Sequence, residues 1–263
     1  MIRDVYFNYG GFYAVFELIG AIKQLQQNKH ILAKRCKVYG CSAGAGMAFT
    51  YLLVQHNFLS ADSMYDSVNL ILDSTKHDSI EQIYMEILDE LFSKYCPNDI
   101  GFLQKRLNVG ISTNNGFVFM NKFSCKADLY HALLLSAKIL GASKCPPCKD
   151  KVVCLDGAFQ FDSKLHLPEN CLILKPVDMG IVNLLKPPSA IRQILMLRGT
   201  IIATEALDCY KKTGMCPVFD IYTPLKDMAP FAFFIQEHFL NNDDAIIQHI
   251  LRVCDTSSGN NVE

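Results

Sequence analysis

"KVYGCSAGAGMAFTYLL", residues 37–53, decides how this chain is read. A β-type run reaches Gly40, four more small residues follow, and a small, apolar run over 43–57 then suits a buried helix. A serine set between small residues at a strand-to-helix turn has two readings. It is a tight packing turn, or it is a nucleophile held in a strained elbow. Gly40-Cys41-Ser42-Ala43-Gly44 fits G-x-S-x-G. That pattern has a mechanical basis, because only small neighbours leave room for a nucleophile on so sharp a turn. The helix start would also offer free backbone N–H groups and a positive dipole end beside Ser42. Cys41 reads as a small filler whose side chain points away.

Outward from this stretch the pattern alternates. "DVYF" reads as a buried strand followed by a Tyr9-Gly10-Gly11 loop. Val15, Leu18, Ile19, Ile22 and Leu25 then recur at helical spacing over 12–28. "CKVYG", 36–40, is the second strand. Strand, helix, strand, helix predicts a parallel βαβ opening and an α/β fold. Helical spacing continues over 61–95 and stops before Pro97. "LNVGIST" and "FVFMN" flank Asn114-Asn115-Gly116, a strong hairpin signal. A helix over 126–141, a strand "KVVCLDGAF" ending at Asp156-Gly157, a strand "CLILKP", a helix over 189–212, a strand "CPVFDIY" and helices over 229–252 complete the reading. No repeat or linker interrupts it, so we expect one domain over 1–255 and a frayed polar tail over 256–263.

Composition narrows the classes. The 263 residues are 50% hydrophobic and 19% charged, enough for a substantial core. A net charge of -1 gives no electrostatic reason to bind nucleic acid. Eleven cysteines, an odd number, point to reduced thiols in a cytoplasmic setting. The apolar N-terminus is broken by Asp4, Asn8, Gly10-Gly11 and Glu17, so it reads as strand, loop and helix rather than as signal peptide or membrane span.

A serine nucleophile needs a base. The usual choice is a histidine steered by a carboxylate. His166, His238 and His249 are the later histidines, and the last two sit inside helical patterns. A histidine-based α/β-hydrolase would also need several strands before its serine, and here one precedes "CKVYG". Asp156 is the other candidate. We expect it at the C-terminal end of a parallel strand, where α/β active sites assemble. There it could act on Ser42 directly. It is equally well read as an aspartate opening a turn before glycine. Gly10-Gly11 could aim N–H groups at an oxyanion, or could simply make a tight turn.

In this order the three pieces resemble the patatin-like phospholipase family, over roughly residues 4–160. The glycine loop comes first, at "NYGGFYAVFELIGAIKQL", and then the elbow "GCSAG". "LNVGIST" and "FVFMNKFSCKADLYHALLLSAKI" follow, and "DGAF" stands where the family has Asp-Gly-Gly. The resemblance implies a three-layer α/β/α sandwich with a mainly parallel central sheet. It implies a Ser–Asp dyad of Ser42 and Asp156, with no metal or other cofactor. The oxyanion hole would be the N–H groups of Gly10, Gly11 and Phe12. Gly40 and Gly44 would shape the elbow, and Gly157 and Ala158 would complete the Asp-Gly motif. The implied activity is hydrolysis of acyl esters in phospholipids or acylglycerols, by a cytoplasmic protein that touches membranes or lipid droplets at their surface. Tyr9, Ala14 and Ala158 depart from the family pattern, and they bear on rate and substrate range. They also motivate an alternative, a non-catalytic relative that binds lipid or a partner. An acyltransferase with the same acyl-enzyme is a further alternative.

Two signals stand apart. Cys145-Pro-Pro-Cys148 has metal-type spacing but lacks a second close pair, and reads as a proline-stiffened loop. The aromatic-rich run 228–240, with Phe231, Phe233, Phe234 and Phe239, reads as a packing helix, or else as the rim of an acyl pocket or a membrane contact.

Overall fold

The computed structural model of the chain describes residues 1–75, 80–138, 154–176 and 186–217. It opens as the alternation predicts, with β1 (Ile2–Phe7), α1 (Gly11–Gln27), β2 (Leu32–Cys41) and α2 (Ala43–Gln55). β1 and β2 are parallel, with Val5 opposite Val38 and Phe7 opposite Gly40. Both helices therefore start at the same end of the sheet. α3 (Ala61–Ser74) is capped by the Ser60 side chain, which accepts from the Ser63 N–H. α4 (Ile80–Glu90) runs on into one wide turn over Leu91–Tyr95.

β3 (Leu107–Thr113) and β4 (Gly116–Met120) form the hairpin marked by Asn114-Asn115-Gly116. Thr113 fixes that turn. Its hydroxyl donates to the Gly116 carbonyl and accepts from the Asn115 N–H. Then come α5 (Lys126–Ser136), β5 (Cys154–Leu155), the short α6 (Ser163–His166), β6 (Leu172–Leu174) and α7 (Ser189–Thr213). α5 ends at Ser136, short of the Gly141 expected from sequence. The cysteine pair at 145 and 148, the strand expected beyond Pro217, the aromatic run 228–240 and the tail 256–263 lie outside the described residues.

The sheet runs β4–β3–β2–β1–β6, with β5 paired to β3. It is mixed, with three parallel and two antiparallel pairings among the described residues. β1, β2, β3 and β6 are parallel neighbours, whereas β4 and β5 both run antiparallel to β3. The β4 direction follows from its short turn, which can only join antiparallel strands. Side chains alternate between the faces. Val5, Phe7, Val38, Leu172 and Leu174 join the main core with α1 and α2. Tyr6, Tyr39, Cys41 and Ile173 face the other way, against Phe161 and Cys171. Among the described residues no helix is long and apolar enough to cross a membrane.

α1 and α7 touch backbone to backbone. A Cβ on Gly199 would stand 1.6 Å from the Glu17 carbonyl oxygen, and one on Gly20 would stand 1.8 Å from that of Met196. The Thr200 hydroxyl, beside this crossing, lies 3.3 Å from the Gly20 carbonyl and 3.2 Å from the Met196 carbonyl. The buried Glu17 carboxylate meets Arg198 at 3.5 Å. Gly199→Ala should force the helices apart and cost roughly 1–3 kcal/mol, the usual range for overpacking. Thermal unfolding should then show a Tm lower by several degrees. An unchanged Tm would mean that the crossing is not this close.

Candidate active site

Ser42 is where β2 turns into α2. Its backbone stands at φ 54, ψ -134, and it is one of four non-glycine residues described with positive φ. Strain of this kind is characteristic of a nucleophile elbow. Serine normally caps a helix by accepting from the first-turn N–H groups. Here Ser42 is the N-cap residue of α2, yet its side chain makes no capping bond.

Close packing and a hydrogen bond both hold the turn. The first is close packing around the elbow glycines. A Cβ on Gly40 would meet the Gly44 carbonyl oxygen at 2.2 Å, and one on Gly44 would meet that of Phe7 at 2.2 Å. The small residues thus press the elbow against the end of β1. The second support is Ser136, at the end of α5. Its buried hydroxyl accepts from the Ser42 N–H at 2.9 Å and donates to the Gly110 carbonyl at 2.7 Å.

Asp156 arrives from an unexpected direction. It follows an antiparallel strand, not a parallel one, which corrects the sequence expectation. Ser112 and Thr113 of β3 pair with β4 on one edge and with Leu155 and Cys154 of β5 on the other. β2 pairs with β3 only as far as Cys41 opposite Gly110. β5 therefore takes the edge that β2 has left, and Asp156 lands beside the elbow. Gly157 seals the contact, since a Cβ there would stand 2.2 Å from the Gly110 carbonyl oxygen and 3.2 Å from the Cys41 Cβ. The Asp156 N–H donates to the Lys138 carbonyl at 2.8 Å, just past α5.

The turn role and the site role of Asp156 coexist. Its Oδ1 accepts from the Ala158 N–H at 2.8 Å, opening the turn Gly157–Phe159. The carboxylate also lies close enough to the Ser42 hydroxyl for that hydroxyl to stabilise its charge. Burial pushes Asp156 up from 3.8 to about 6, and the contacts from Ser42 and Ala158 only partly offset it. Ala158 is not among the residues with positive φ, so its backbone does not require glycine.

Gly10 and Gly11 begin α1 beside this pair. Gly10 has φ 148 and Gly11 φ 61, both in regions where a side chain would be strained. Gly10 is the N-cap residue, and no side chain caps the helix. The first N–H groups of a helix have no intrahelical acceptor, so those at Gly11 and Phe12 are left unpaired by the helix itself. Phe12 buries its side chain in the main core. Tyr9 turns its ring against the cluster of Tyr6, Tyr39 and Phe161. Ala14 is buried in the first turns of α1. Cys41 is buried in the cluster on the other sheet face, next to Tyr6.

The structure brings Ser42, Asp156, Gly40, Gly44, Gly157 and Ala158 together, with the Gly10–Phe12 helix start next to the elbow. It holds His166 differently. Its Nδ1 accepts from the Asp162 N–H at 2.9 Å, and its ring packs 4.4 Å from that of Phe117. His238 and His249 lie outside the described residues. Among the described residues no group of His, Cys, Asp or Glu is placed to hold a metal ion. Sequence reasoning missed Ser136, because a serine inside "HALLLSAKI" carries no local mark of a partner 94 positions away. No model of a known protein family matches the chain, and no curated protein matches it.

Two outcomes follow from this geometry. Ser136→Ala leaves the Ser42 N–H and the Gly110 carbonyl without their partner, which should cost roughly 1–3 kcal/mol. Chemical denaturation checks this, and a variant as stable as the wild type would remove Ser136 from the role. The Asp156 shift also has a sign. A carboxyl raised in the folded state binds more protons there than when unfolded, so its contribution to stability falls as pH rises from about 4 to about 6. Asp156→Asn should therefore gain on the wild type across that window, by roughly 3 kcal/mol above pH 6.5. Denaturation curves that run parallel from pH 4 to pH 8 would contradict the shift.

Proposed function

We propose that this chain is a patatin-like lipid acyl hydrolase, with Ser42 as nucleophile and Asp156 as its base. The α/β architecture is then a three-layer α/β/α sandwich, and the site sits at the carboxyl ends of β1 and β2. The observation that carries the reading is the buried Asp156 carboxylate beside a serine that is strained and does not cap its own helix. A packing turn needs neither feature.

Asp156 takes the Ser42 proton as Oγ attacks the ester carbonyl carbon. The carbonyl oxygen gains the charge, facing the N–H groups of Gly10, Gly11 and Phe12 and the positive end of α1. The C–O bond then breaks, and the proton on Asp156 passes to the departing alcohol. Water attacks the acyl-serine while Asp156 takes its proton. Collapse of the second oxyanion frees the fatty acid and returns the proton to Ser42. A base raised to about 6 suits this cycle. It is ionised at neutral pH, yet basic enough to accept a proton.

Phospholipid or acylglycerol is the proposed substrate, met at a lipid surface on the cytoplasmic side. A lipid panel tests the proposal, with wild type beside Ser42→Ala and Asp156→Asn. Wild type should release fatty acid and take a fluorophosphonate label at Ser42, and both variants should lose at least about a thousandfold in rate. Activity should rise with pH through about 6 as Asp156 ionises. Absence of label and of released acid would favour a non-catalytic lipid binder. Transfer of the acyl group to an added alcohol at the expense of free acid would favour an acyltransferase.

A further inference from the structure

Two locally unfavourable choices meet at one contact beside the dyad. The first is Tyr84 on α4. It is 8% exposed, and its hydroxyl is buried without a hydrogen-bond partner. Such groups are rare, because the hydroxyl forfeits its bonds to water and gains nothing in return. The second is Gly46 in α2. It lies inside a helix, its φ is not positive, and glycine is a poor helix residue there. What makes glycine fit is Tyr84. A Cβ on Gly46 would stand 2.9 Å from the Tyr84 hydroxyl oxygen and 3.5 Å from the ring. The helix gives up a side chain, and the space goes to a hydroxyl with nothing to bond.

The contact lies on the helix that Ser42 opens. Gly46 is four residues past Ser42, about 6 Å along the helix axis. The Asp156 carboxylate acts on Tyr84 electrostatically, adding to the effect of burial, so the phenol stays protonated and remains a donor. Ester hydrolysis presents three polar groups to a site of this kind. The serine hydroxyl has Asp156. The carbonyl oxygen has the start of α1. The bridging oxygen, which becomes the leaving alcohol, has no other partner assigned.

We propose that the Tyr84 hydroxyl donates a hydrogen bond to the bridging oxygen of the bound ester. This rests on Ser42 and Asp156 acting as the dyad. Tyr84 keeps its proton throughout, since the departing alcohol receives its proton from Asp156. The bond strengthens as charge develops on the bridging oxygen, so it matters most for a poor leaving group. An alkyl or glycerol alkoxide needs it, and a nitrophenoxide, already stable as an anion, does not. Tyr84 would thus fit the site to esters of aliphatic alcohols, the class to which acylglycerols and phospholipids belong.

The test compares Tyr84→Phe, Gly46→Ala and the double variant with wild type on two esters of one fatty acid, the glycerol ester and the p-nitrophenyl ester. Fluorophosphonate labelling of Ser42 and Tm are measured alongside. Tyr84→Phe should lower kcat/KM for the glycerol ester roughly ten- to a hundredfold. It should leave the p-nitrophenyl ester and the labelling rate within about twofold. Removing an unpartnered buried hydroxyl should hold Tm level or raise it by roughly 2–4 °C. Gly46→Ala should reproduce the selective loss by displacing the hydroxyl, and should add no further selective loss to Tyr84→Phe. Equal losses on both esters, an unchanged glycerol ester, or a fall in Tm with matching loss of label would overturn the assignment and leave the dyad standing. A wild type that takes no label and hydrolyses neither ester would overturn both.

Discussion

The backbone of Ser42 is held where few residues other than glycine go, at φ 54 and ψ -134. Such a conformation costs of order 1–3 kcal/mol and persists only where its surroundings over-determine it. Here they do so from three sides. β2 delivers Cys41 in register with Gly110. α2 leaves in a direction fixed by residues buried almost throughout its length. Ser136 takes the Ser42 N–H into a bond that continues to Gly110. Each support needs the others. Without the buried α2 the turn could relax, and without the small residues at 40 and 44 the helix could not approach the end of β1. The result is a hydroxyl that does not cap its helix and meets the Asp156 carboxylate instead.

The same economy governs Asp156. A carboxylate is expensive to bury, and burial pushes Asp156 up to about 6. The chain meets it with a turn bond from Ala158, a contact from Ser42, and an anchor from the Lys138 carbonyl to the Asp156 N–H. Ser136 and Lys138 are two residues apart. One short stretch at the end of α5 therefore fixes the serine through a side chain and the aspartate through a carbonyl. α5 stops at Ser136, before the Gly141 expected from sequence, and so frees the Lys138 carbonyl for that use.

What the sequence made legible was local. The elbow, the glycine pair and the hairpin each depend on a few adjacent residues, and their spacing alone implies the turn they make. Features built from distant partners were not legible. The first half of β2 was hidden because Lys34 and Arg35 are exposed, and a strand solvated there shows no apolar alternation. The direction of β5 was misread because an apolar run beside a βαβ opening looks like one more parallel strand. Only the edge left vacant beyond Cys41 shows why it runs the other way. Ser136 and Tyr84 sit at helix-compatible positions in apolar patterns, and nothing beside them in sequence announces what their hydroxyls face.

Several departures from local preference meet at this site, and that weighs on how it is read. A packing turn would explain small residues at 40, 43 and 44. It would not call for a positive φ at Ser42, a buried carboxylate facing it, paired positive-φ glycines opening the neighbouring helix, or an unpartnered phenol over Gly46. Elsewhere the described chain largely follows the rules: apolar faces are buried, Ser60 caps α3, and the Gly214 backbone closes α7 in the left-handed conformation. Natural sequences break several local rules together where function requires it and keep them elsewhere. The bulk of Tyr9 belongs to the second group, since its ring leans on the aromatic cluster behind the sheet. Its bulk is thereby turned away from Ser42, whereas the Tyr84 hydroxyl over Gly46 has been left without a partner.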